Sequence, residues 1–276
     1  MKTINYRCPL CQQALQTNPS GLVCDNKHQF DRAKEGYVNL LPVQHKHSKM
    51  PGDSQSMVMA RRAFLANGHY ANLQQTLIET IESYLTAGQQ SIIDSGCGEG
   101  YYTNQLAEQL NIKHSDTTIY GIDIAKPAIK YAAKRAKNAH FAVASSAKMP
   151  FDDNSANIIF KVFAPTSIEQ VKRVLAKYGY FVSVVPGPHH LYELKQRIYS
   201  QPKQHQAEQV PNGFSCIDST GVRQKLCLEE HSDISNLADM TPFAWKLSTE
   251  KRQALLNSAP FEVTTDFTIN VYRQEE

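Results

Sequence analysis

Three cysteines and a histidine near the start of the chain have the spacing of a metal site. Cys8-x2-Cys11-x12-Cys24-x3-His28 supplies two ligand pairs, each spanned by a tight turn. Three thiolates and one imidazole suit tetrahedral zinc. Pro9 in "RCPLC" and the glycine-led return "GLVC" favour paired turns. Four protein ligands leave no open coordination position, so the spacing predicts a structural zinc that folds a small module rather than a reaction centre. His45 and His47, in the basic stretch "QHKHSK", read as solvated residues.

A second constellation is "IIDSGCGEGYYTNQL", residues 92–106. Asp94, Gly96, Gly98 and Gly100 follow an apolar run and precede a helical pattern, where α/β folds bind ligands at the carboxyl ends of strands. Glycines there let a ligand approach bare backbone. A dinucleotide fingerprint would need glycine at position 101, which is tyrosine. The G-x-G-x-G spacing behind an acid suits S-adenosylmethionine instead. Asp123, closing "IYGID", is placed to accept hydrogen bonds from ribose hydroxyls; the competing role is a helix cap ahead of Pro127. Glu99 faces either the cofactor or solvent, and Cys97 reads as a packing residue. Ala164 before Pro165 replaces the Asn or Asp expected of enzymes acting on exocyclic amines, which favours a ring nitrogen as methyl acceptor.

Alternating elements must position these groups. Strand-like runs at 91–94, 118–124, 140–145, 157–163 and 180–185 alternate with helical patterns at 101–110, 127–137 and 167–177. The alternation predicts a doubly wound, mostly parallel α/β sheet. Leu73, Leu77, Ile81 and Leu85 recur at helical spacing, and residues 44–62 form a polar, basic connector that turns helical near Met57. Residues 200–215 read as a surface loop, 249–258 as a helix and 261–273 as a long final strand.

Composition narrows the class. No run of about 18 apolar residues exists, so no membrane-spanning helix is expected. The first residues lack a hydrophobic signal core, which predicts a cytoplasmic protein. Six cysteines, three of them scattered, do not make a secreted disulfide framework. A net charge of +3 permits a nucleic-acid partner without arguing for one.

The combination of "CPLC…C…HQFD.AKEGYVNLLPVQHK", "PGDS", "ARRAFL..GHY", "D.GCGEGYYT", "PGP.HL.ELK" and "MTPFAW" resembles the RlmA (RrmA) family, bacterial 23S rRNA guanine-N1 methyltransferases, over nearly the whole chain. The resemblance implies an α/β class I S-adenosylmethionine-dependent methyltransferase, Rossmann-like with a mostly parallel seven-stranded sheet, and a small N-terminal zinc-binding module. It implies residues 1–43 as that RNA-recognition module, 44–90 as connector and helices, and 91–276 as the methyltransferase domain. It also implies a homodimer acting on 23S rRNA, at a G745-type guanine; a G748-type guanine, or a small-molecule substrate, is the alternative. Zinc ligands fall on Cys8, Cys11, Cys24 and His28. Cofactor contacts fall on Tyr70, the Gly96–Gly100 loop, Tyr102, Thr103 and His190, beside the Asp94, Glu99 and Asp123 read from spacing.

Two departures from the family pattern stand out: Ser95, where an apolar residue is common, and His189, where an arginine is expected. The acceptor for the guanine N1 proton is unassigned, with Asp53 and His190 as candidates. Lys27, Arg32, Lys34, Lys46, Lys49, Arg61 and Arg62 crowd the zinc module and connector, where basic side chains can meet phosphates.

Overall fold

The computed structural model describes residues 6–42, 52–113 and 116–275. Three short antiparallel strands, β1 (Gln16–Asn18), β2 (Gly21–Val23) and β3 (Gln29–Asp31), carry the N-terminal lobe. The Asn18 side chain accepts from the amides of Ser20 and Gly21 and closes the first turn. Then β4 (Val38–Asn39) leaves this small sheet and pairs in parallel with a strand of the main one.

Helices α1 (Gln55–Ala66) and α2 (Ala71–Ser83) follow. Ser54 caps α1 by accepting from the Met57 amide. Leu73, Leu77, Ile78 and Ile81 line the buried face of α2, as the helical period requires.

The main sheet is then laid down by β5 (Gln90–Ser95), α3 (Tyr101–Lys113), β6 (Thr117–Asp123), α4 (Lys126–Arg135), β7 (Ala139–Val143), β8 (Ala156–Val162), α5 (Ile168–Val174) and β9 (Leu175–Pro186). It is completed by α6 (Tyr192–Ile198), β10 (Phe214–Leu228), α7 (His231–Asp239), α8 (Thr249–Leu256) and β11 (Phe261–Gln274). Strand order is β10-β11-β9-β8-β5-β6-β7-β4, parallel except where β11 pairs with β9 and β10. All six residues of β5 are buried, as a parallel strand covered on both faces demands. β5 pairs with β6 on one edge and β8 on the other, so the chain switches direction there and a crevice opens at its carboxyl end.

Three features differ from the expectation. Seven strands come from Gln90 onward as expected, but β4 adds an eighth from the N-terminal lobe. The helix predicted to reach residue 177 ends at Val174, because Leu175 pairs with Ala156 and starts β9. The 15-residue β10 has no sequence signature: its outer positions are polar and exposed, and only pairing with β11 holds it extended.

The two faces of the sheet bury different things. One packs α1, α2, α3 and α6–α8 around Phe64, Leu77, Phe160 and Phe267. The other packs Cys8, Leu15, Leu22, Cys24, Val38 and Leu40 of the N-terminal lobe against Ile93, Tyr120, Phe151, Phe181 and Tyr272. The lobe therefore has no core of its own and completes the core of the sheet. Tyr6 seals the seam, its ring 5.5 Å from Tyr120 and 5.3 Å from Phe151, and Arg7 pairs with Asp152 at 2.5 Å.

Candidate functional site

The four N-terminal donors converge. The ligand atoms of Cys8, Cys11, Cys24 and His28 all lie within 4.8 Å of one another. Cys11 and Cys24 sulfurs are 3.6 Å apart, and His28 Nδ1 is 3.5 Å from Cys8 Sγ and 3.4 Å from Cys24 Sγ. A tetrahedron with Zn–S bonds of about 2.3 Å has edges of about 3.8 Å, so the donor set fits zinc through Nδ1. Burial pushes the Cys8 thiol up to about 11. Three thiolates within 4.8 Å of one another need a cation among them, and Cys8 and Cys24 are buried where that cation would also tie the lobe to the sheet.

At the carboxyl end of β5 the chain turns through Gly96 (φ +84°) and Gly98 (φ +55°). A side chain at Gly96 would collide with Ala164, 2.3 Å from where its Cβ would lie, whereas Gly98 faces open space. The first glycine thus lets the loop pack against the segment after β8, and the second leaves bare backbone on the open side. Asp123, at the end of β6, accepts from the Gly98 amide at 2.9 Å and from the Ala125 amide at 2.7 Å. Each oxygen keeps a further lone pair for ribose hydroxyls. The helix-cap alternative is not what forms, since Ala125 caps α4 without any side-chain bond.

Asp94 lies beneath the loop, 2% exposed, with one oxygen accepting from Thr103 Oγ1 at 2.6 Å and Oδ1 buried without a partner. Burial pushes this carboxyl up to about 7; the Thr103 bond opposes the rise and the Asp123 charge adds to it. Glu99 is buried as well, with Arg135 at 3.6 Å. Burial raises its pKa, and the Arg135, Arg61 and Arg62 charges oppose that rise. The Tyr70 hydroxyl is another buried polar atom without a partner. Orphaned acceptors around exposed glycine backbone fit a ligand with an ammonium, hydroxyls and a planar base, as S-adenosylmethionine has. Cys97 is buried against Gly121 and acts in packing.

A cluster of rings assembled from four distant segments flanks the loop. The His190 ring lies 6.3 Å from Tyr70, 4.7 Å from Phe267 and 5.7 Å from Phe163, the last nearly parallel at 24°. Tyr102 is half-buried in the first turn of α3 beside Tyr70, and Gln74 of α2 bonds the Tyr101 carbonyl at 2.9 Å. Phe163, at the end of β8, is 43% exposed and sits at φ +55°, a conformation bulky residues rarely adopt. Two residues absent from the sequence reading support this cluster. Phe267 forms its floor, and Asp266 accepts the His189 amide at 2.9 Å while its own amide bonds His190 Nδ1 at 3.3 Å. An acid inside the apolar strand "TTDFTINV" was the available signal.

The geometry separates the two proton-acceptor candidates. Burial pulls His190 down to about 3, with His205 and Lys195 adding to the effect. Its Nδ1 already accepts, so the neutral ring has only Nε2–H left, which donates; base catalysis is not the role this geometry supports. Asp53 forms an ion pair with Arg61 near the Asp123 turn.

The basic residues divide similarly. Lys27, Arg32 and Lys34 are exposed on the N-terminal lobe. Arg61 is turned inward to Asp53 and the Met240 carbonyl, and Arg62 stacks 5.0 Å over Tyr131. Lys46, Lys49, His45 and His47 lie outside the described residues.

Sheet order, glycine loop and the acids ending β5 and β6 define a class I S-adenosylmethionine-dependent methyltransferase. Residues 6–49 match the RlmA N-terminal zinc-ribbon family, and residues 87–251 match a methyltransferase-domain family. The chain is 31% identical to a Streptomyces fradiae 23S rRNA (guanine(748)-N(1))-methyltransferase, over 97% of this chain and 96% of that one. It is 28% identical to a Bacillus subtilis (strain 168) protein provisionally named 23S rRNA (guanine-N(1)-)-methyltransferase, over 96% of this chain and 95% of that one. The protein belongs to this zinc-ribbon methyltransferase family.

Proposed function

We propose that the protein methylates N1 of an unpaired guanine in 23S rRNA. The observation that carries this reading is the Phe163 ring, half-exposed beside the glycine loop and parallel to His190. A planar base extruded from its stack meets an aromatic face there, at the mouth of the methyl-donor site. N1 lies on the pairing edge, so the guanine must be unpaired for the reaction.

When bound, S-adenosylmethionine supplies an electrophilic methyl group for in-line displacement. Gly98 would offer it bare backbone, with Gly96 and Gly100 letting the loop pack behind; Asp94, Glu99 and Asp123 would offer acceptors; Tyr70 and Tyr102 would close its sides, and Thr103 would hold Asp94 in place. Phe163 holds the base plane, so positioning provides much of the rate. His190 Nε2–H donates to a base carbonyl oxygen, stabilising the negative charge that develops there as N1 gives up its proton. The methyl would pass from the donor's sulfur to N1, leaving S-adenosylhomocysteine, with the N1 proton released to water.

The division of labour follows the segments: 1–43 carries zinc and, through Lys27, Arg32 and Lys34, meets RNA; 44–90 connects; 91–276 binds the donor. The protein works in the cytoplasm as a homodimer, which light scattering at assay concentration tests. Among the described residues no helix is long and apolar enough to cross a membrane.

Labelled S-adenosylmethionine with undermodified 23S rRNA is the test. Label entering a guanine that stops reverse transcription is expected, and label entering only small metabolites would defeat the reading. The block from His28 to Pro42 resembles the G745 branch, whereas the Streptomyces fradiae relative is named for position 748. The position of the stop separates them.

A further inference from the structure

Helix α4 carries a row of cations that neither the metal centre nor the donor site uses. Lys126, Lys130 and Lys134 are exposed and four residues apart, while Ala128, Ile129, Ala132 and Ala133 face inward. At a rise of 1.5 Å per residue the ammonium groups step along one face at about 6 Å. Lys126 and Lys134 have no carboxylate within ion-pair distance among the described residues, and Lys130 has only Glu35 of the N-terminal lobe, at 3.5 Å.

The position of α4 places this row beside both the zinc lobe and the donor site. The helix starts three residues after Asp123, at the donor site. On one flank, Tyr37, Leu41 and Ala33 of the zinc lobe pack against Ile129, Ala132 and Ala133. On the other, Arg62 of α1 stacks on Tyr131. Arg135, at the far end, reaches Glu99 of the glycine loop. The outer face of α4 is therefore one surface running from the zinc lobe to the catalytic crevice, and exposed Lys34 continues it on the lobe.

At Lys126 the placement of charge is locally unfavourable, whereas Lys134 in the last turn is favourably placed. The first turn of α4 has no acid and contains Lys126, where the positive end of the helix dipole opposes a cation. No large apolar side chain projects from the row, so it has nothing to insert into a lipid surface.

We infer that this face is the track on which one strand of the substrate RNA runs, each lysine neutralising a backbone phosphate between zinc lobe and active site. A regular row of single charges suits a polymer with one charge per nucleotide. The inference rests on the RNA reading above and extends it to a surface outside both sites.

The test is the triple variant K126Q/K130Q/K134Q in the full chain, binding a 23S rRNA hairpin across a salt series. The logarithmic salt slope is expected to flatten by about 2 to 3, from roughly 0.7–0.9 per phosphate contact. S-adenosylmethionine uptake and melting temperature should stay as in the wild type. A control pair on β9 and β10, toward the other end of the sheet, K177Q/K225Q, should leave the slope alone.

An unchanged slope in a triple variant that still binds RNA overturns the track, as does equal flattening in the control. Competition by polyglutamate as effective as the hairpin overturns it in favour of an acidic protein partner. A wild type that binds no hairpin overturns the substrate reading itself, which separates the two failures.

Discussion

The Asp123 carboxylate accepts the backbone N–H of Gly98 at 2.9 Å, so the acid that ends β6 props the loop that ends β5. The same oxygens that would meet the donor's ribose shape the backbone that meets the rest of it.

Asp123→Asn therefore injures the site twice. An amide group presents N–H toward one of two backbone donors and loses the charge that strengthens both bonds. Donor affinity measured by calorimetry is expected to fall by roughly 10- to 100-fold, about 1.5–3 kcal/mol. Metal content should be unaffected.

Gly96→Ala places a methyl group 2.3 Å from the Ala164 Cβ at a left-handed backbone position. The variant should lose donor binding. Adding Ala164→Gly removes the collision but leaves a strain of about 1–2 kcal/mol at position 96, so calorimetry should show partial recovery. Full recovery would mean backbone conformation matters less than contact.

Phe163→Gly relieves an unfavourable backbone conformation while removing the aromatic shelf. Thermal stability and donor affinity should hold or improve while kcat/KM for rRNA falls at least tenfold. Phe163→Tyr should retain activity. Equal rRNA activity in the glycine variant would remove the shelf from the mechanism.

The pH profile of the donor-free protein tests Asp94. Its folded pKa, about 7, stands above the ordinary carboxylate value of 3.8 kept in the unfolded chain, so the native state holds the extra proton between them. The stabilisation is fully present below about 4 and is lost as pH rises through about 7, a few kcal/mol in total. Relative to Asp94→Asn, wild-type stability by denaturant titration should fall across that window. Donor binding, which favours the ionised carboxylate, should strengthen across it.

Removing zinc should unfold more than the lobe that binds it. Cys8, Cys24, Leu15 and Leu22 share a core with Phe151, Phe181 and Tyr272 of the sheet. Calorimetric scans of Cys8→Ser, or of the protein with chelator, should show one cooperative transition shifted down by 10 °C or more, given metal-binding energies of about 10–16 kcal/mol and about 2–4 °C per kcal/mol. A separate small lobe transition ahead of an unshifted main one would contradict the shared core.

What could be read along the chain was whatever nearby residues decide. Cys8, Cys11, Cys24 and His28 come in closely spaced pairs, so turn geometry limits what they can do together. Asp94 to Gly100 and the acid closing β6 were legible because a strand, a bend and a helix start follow one another within a few residues. The helical spacing of Leu73, Leu77 and Ile81 and the buried run of β5 were visible for the same reason.

Tertiary structure decided what depends on residues far apart. Tyr70, Phe163, His190 and Phe267 become neighbours only when four elements dock, and no local pattern marks them as a set. The strand β10 is polar on its outer side and owes its shape to hydrogen bonds from β11. The zinc lobe looked separable because it is short and metal-bound, yet β4 pairs with β7 and its apolar side chains cover the sheet. Pairing partners and shared cores are long-range facts, since chain folding alone brings such surfaces together.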